Sequence, residues 1–152
     1  MTSYELWLFL HISAAMVWIG GGAVAQIFGL LAQRSGDPAQ SAAFGRSMGF
    51  IGPKVFAPAS IAVLITGVLL TEDGNWEWSE TFIWLGIVLW AAVSFVAFAF
   101  LTRAMGRVGA RLAAEGPSPE LGAEVRKLVL LGRVLVLVLF VVVFLMVVKP
   151  GT

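Results

Sequence analysis

Four stretches of this chain run without a charged side chain: 28 residues between Glu5 and Arg34, 17 between Lys54 and Glu72, 22 between Glu80 and Arg103, and 15 between Arg133 and Lys149. A helix rising about 1.5 Å per residue needs about 20 mostly apolar residues to cross ~30 Å of hydrocarbon. The first and third stretches exceed that length and the second reaches its lower limit. The fourth is extended by Leu128–Gly132 beyond Arg133, whose long side chain can carry its head back to the interface. The pattern predicts an all-α, four-helix transmembrane bundle forming a single membrane domain over residues 1–152, with spans at roughly 6–31, 52–71, 81–103 and 128–148. The runs are continuous rather than alternating, which excludes membrane β-strands. Residues 1–5 carry no basic group and the first apolar run is too long for a cleavable signal peptide.

The connections between spans differ in charge. The first carries Arg34 and Arg46, with Lys54 opening the second span, and the third carries Arg103, Arg107, Arg111, Arg126 and Lys127. The second, Glu72 to Glu80, holds four acids and no base. Short basic loops stay cytoplasmic, so both termini and the acidic loop are expected outside. Tyr4, Trp7, Trp76, Trp78 and Trp84 gather at that outer edge, as interfacial rings do. Gly52-Pro53 and Pro58 predict a bend where the second span begins. Arg103, Arg107 and Arg111 recur every fourth residue and share one face of an extended third helix.

Composition agrees: 59% of residues are hydrophobic, 12% are charged, and the net charge is +1. Ordinary soluble domains carry about 25% charged residues, so a cytosolic enzyme and a nucleic-acid-binding module are both excluded. The absence of cysteine removes disulfides, thiolate metal sites and thiol catalysis. No phosphate loop, nucleophile and base pair or paired buried carboxylates occurs. No catalytic residue is assigned, and any redox role would depend on a haem.

His11 is the one side chain of unusual chemistry. Stepping by four and three gives His11, Ala15, Trp18, Gly22, Ala25 and Gly29, a stripe of small residues and rings that suits close helix contact in lipid. His11 should therefore face protein, about 9 Å below the outer end of its helix by the helical rise, and an imidazole there needs a partner. Three readings stand. The ring bonds a neighbouring helix, with Thr66 or Ser94 as candidates. It ligates haem b, through five-coordinate iron, with a methionine, or as a pair across two chains, with Trp18, Gly22 and Met146 lining the cofactor. Or it joins Met16 and Met146 in a copper site. Lys54, Arg133 and Lys149 sit at span ends, where snorkelling accounts for them.

The segments His11–Gly21, Pro58–Gly67 and Leu145–Gly151 resemble a bacterial family of predicted four-helix integral membrane proteins of unknown function. That family is similar to the membrane domain of the copper-resistance protein CopD and, more distantly, to the small haem-binding protoporphyrinogen oxidases. The resemblance implies haem or copper at His11. The oxidases also end in Lys-Pro, matched by Lys149-Pro150, and carry a lysine early in the third helix that this chain lacks. The competing expectation is a non-catalytic accessory or scaffold subunit, within a homo-oligomer or a larger membrane complex.

Overall fold

The computed structural model describes residues 2–150, so Gly151, the end of the Leu145–Gly151 segment, lies outside the described residues. Among the described residues the only regular elements are helices, and four are long and apolar enough to cross a membrane: α1 (Ser3–Arg34), α2 (Pro38–Asp73), α3 (Thr81–Glu115) and α4 (Pro119–Val148). Each bears a broad exposed apolar face: Phe9, Met16, Phe28, Phe95 and Phe144 are all well exposed. Such a surface suits acyl chains rather than water.

The helix starts follow capping rules. Thr2 and Glu5 form a reciprocal capping box. Asp37 caps α2 and Ser118 caps α4, each followed by a proline in the first turn, where a missing N–H costs nothing. Gly36 and Gly116 take φ of +68° and +78° in the three-residue links at the basic end, a conformation open to glycine. At the acidic end the longer link 74–80 is held differently. Trp76 meets Phe82 edge-on at 5.4 Å, and the ammonium of Lys149 lies 4.1 Å above the Trp76 ring.

Two expectations change. Residues 38–51, read as a loop, are helical and run unbroken into the second span. No long apolar run marks them, because their burial comes from contact with one neighbour. The bend expected at Gly52-Pro53 is a π-helical turn, Gly52–Phe56, inside a continuous helix. An extra residue per turn is one way a helix takes up a proline that cannot donate. Similar turns occur at Met16–Gly20 in α1 and Phe95–Leu101 in α3.

The two ends of the bundle pack unlike each other. At the basic end α2 and α3 cross backbone to backbone. A methyl group at Gly45 would come within 2.8 Å of Gly109 Cα and 2.9 Å of Met105 O, and one at Gly49 within 2.9 Å of Gly106 Cα. Ala42, Ala104, Met105, Val108, Leu121 and Leu128 make a dense core around this crossing. Arg103, Arg107 and Arg111 occupy the opposite, exposed face of α3. At the acidic end residues 3–15 pack along 57–73 and residues 81–94 along α4, while the two pairs touch each other only sparingly. No residue between Ser3 and Ala15 is buried.

Candidate functional site

His11 is half-buried, with its ring over Gly67: a methyl group there would come within 3.2 Å of His11 Cε1, so the missing side chain makes room for the imidazole. Its Nδ1 lies 3.0 Å from Thr66 Oγ1. The Thr66 hydroxyl is 2.6 Å from the Ala62 carbonyl, too short for two oxygens without a shared proton. The hydroxyl's single proton is therefore committed to Ala62, and its oxygen accepts from Nδ1–H. This arrangement sets the tautomer: Nδ1 carries the proton and Nε2 keeps its lone pair. Of the two partners expected for His11, Thr66 takes the role. Ser94 instead bonds Ser60 Oγ at 2.9 Å, and Trp90 Nε1 donates to Ser60 O and Oγ, both at 3.0 Å.

The other site candidates lie apart from His11. Trp18 is 5% exposed and packs with Val93 and Leu139. Gly22 faces Val136, which lies 3.6 Å from where its Cβ would be, an ordinary packing contact. Met16 is 68% exposed on the outer surface. The Met146 methyl group fills the space over Gly86, which commits Met146 to the α3–α4 pair. No group of three His, Asp or Glu residues that could hold a metal occurs among the described residues. Lys54 is exposed and Arg133 half-buried near the basic end, as snorkelling residues are. Lys149 adopts φ +49° as the C-cap of α4, and its ammonium turns to the Trp76 ring.

A cavity of about 100 Å³ lies in the middle of the bundle, bounded by Trp18, Gly22, Gln26, Phe56, Phe98 and Thr102 among others. His11 is not in its wall. Ligand pockets run from roughly 300 Å³ upward, so this cavity is too small for haem. Gln26 is a feature that the count of uncharged residues passed over, since an amide adds no charge. Its Oε1 is buried with no hydrogen-bond partner among the described residues. A lone amide inside an apolar run was the available signal.

No curated protein and no solved structure matches the chain. A family model does, over residues 5–150, which takes in all four long helices and the His11–Thr66 pair. The chain therefore belongs to the family of predicted integral membrane proteins called DUF2269.

Proposed function

We propose that this is a bacterial inner-membrane protein that binds haem b through Nε2 of His11, with its basic end in the cytoplasm and both termini outside. The orientation rests on the positive-inside rule applied to the Arg- and Lys-bearing links. The observation that carries the haem reading is the committed Thr66 proton: a ligating imidazole donates its other N–H to a fixed acceptor, and Thr66 supplies one. The residues fit one half of a haem site. Each chain would offer one imidazole nitrogen, at the acidic end rather than in the central cavity, whose wall does not include His11. Bound there, haem would supply one-electron or small-ligand chemistry. His11 would hold the group, Thr66 would orient the ring, and Gly67 would leave space for it. Copper draws less support, because Met16 is largely exposed and the Met146 methyl group packs on Gly86.

The test is an absorption spectrum of protein purified from haem-replete cells, or titrated with hemin. A Soret band is expected, lost in His11→Ala. Thr66→Val should retain the band and weaken binding by about 10–100-fold. A colourless protein that takes up no hemin overturns the reading. A second reading, an accessory subunit, draws on residues 3–15, which bury no side chain within this chain. A stoichiometric partner recovered in mild detergent would support it, and a lone monodisperse species would refute it.

A further inference from the structure

Two buried amide atoms on α1 have no protein partner among the described residues: Gln26 Oε1 and Gln33 Nε2. They are seven residues apart, two helical turns on one face, about 10 Å along the axis. Each borders a cavity. Gln26 lines the central one of about 100 Å³. Gln33 lines a smaller one of about 10 Å³ nearer the basic end, together with Ser41. The cavities share Phe44 and Met105 in their walls. A water molecule needs about 10–15 Å³ of such space and a few polar partners. The small cavity holds about one water and the large one several.

We propose that the interior face of α1 binds a file of ordered water, entering at the basic end past Gln33, reaching Gln26, and ending at Trp18. The two orphaned atoms are an acceptor and a donor, and water satisfies both. Polar atoms on the route recur from level to level: Ser41 and Gln33, then Gln26 and Thr102. All three π-helical turns contribute to the wall of the central cavity, through Trp18, Gly52, Phe56, Ala97, Phe98 and Leu101. Turns of this kind accompany internal sites in helices. On the far side the cluster of Trp18, Val93 and Leu139, each at most 5% exposed, shuts the file off from the acidic end. The file is therefore an aqueous half-path, open to one side of the membrane, and it is independent of any haem at His11.

The chain has only three glutamines, Gln26, Gln33 and the exposed Gln40, so their side-chain amides can be told apart. Water-edited solid-state NMR of the full chain in liposomes reads how fast magnetisation passes from water to each. Gln26 is expected to receive it at a rate comparable to Gln40. The Trp90 indole, half-buried and bonded to Ser60, serves as the dry reference. Gln33→Leu narrows the route, and the Gln26 rate should fall several-fold while Gln40 and Trp90 stay unchanged, which also verifies the fold. A Gln26 rate as slow as that of Trp90 overturns the proposal. A Gln26 rate unaffected by Gln33→Leu overturns the entry route, and the file with it.

Discussion

The basic and acidic ends of this bundle solve one packing problem by opposite means. At the basic end side chains are removed: Gly45, Gly49, Gly106 and Gly109 let two backbones touch, and dispersion over a long contact holds them. At the acidic end small polar groups are added: the His11–Thr66 bond and the Ser60, Ser94 and Trp90 bonds tie helices whose backbones stay apart. In lipid no hydrophobic effect separates helix from solvent, so close fit and hydrogen bonding are the remaining sources of cohesion. The difference shows where this chain places its specificity: at the glycine end Gly45, Gly49 and Gly109 leave no room for a methyl group, and at the other end directional hydrogen bonds fix the helix register.

The comparison breaks most easily at the glycines. Gly109→Ala would push a methyl group to within 2.7 Å of the Arg46 backbone nitrogen. It is expected to cost about 1–3 kcal/mol or more, seen as a large drop in thermal stability in detergent. Gly20→Ala meets nothing within 4 Å and should be neutral or stabilising. Equal effects at the two positions would show that the crossing is not tight. At the other end Thr66→Val removes the acceptor of Nδ1–H at similar volume, and a loss of roughly 0.6–1.7 kcal/mol is expected from transmembrane hydrogen bonds. Chemical denaturation would measure it, and a loss matching that of Gly109→Ala would erase the contrast. The smallest effect belongs to Lys149→Met, which removes the cation above Trp76 and should cost about 0.5–1 kcal/mol. Its signature is a change in indole fluorescence with the helix content unaltered.

Much of the fold was readable from the chain because spanning a membrane leaves a coarse signal. Four uncharged runs became four helices, and the stripe from His11 to Gly29 faces protein, with Trp18, Ala25 and Gly29 buried. The helix over 38–51 was not readable by the same rule. Its apolar content is low, and its burial depends on Gly45 and Gly49 finding Gly109 and Gly106, a pairing between distant segments. Four-residue glycine spacing was present in the sequence, yet spacing alone names no partner. At the candidate site, the need of His11 for a bonded partner could be argued from residue type, and Thr66 was one of two choices. Which proton goes where depended on the 2.6 Å contact to Ala62, a distance no sequence contains. Gln26 and Gln33 escaped because counting charge treats an amide like a leucine, although each has a buried polar atom to satisfy.

The three-residue links both lie at the basic end, and Arg111 adds a bridge there from the end of α3 to Glu124 at the start of α4, 3.8 Å away. The seven-residue link and the sparse contact between helix pairs lie at the opposite end. The molecule is thus built like a clothes-peg, clamped hard at its spring and joined more lightly at its jaws. Spreading the jaws would strain the few contacts between the pairs, the Ser60, Ser94 and Trp90 bonds among them, while the glycine clamp stays shut.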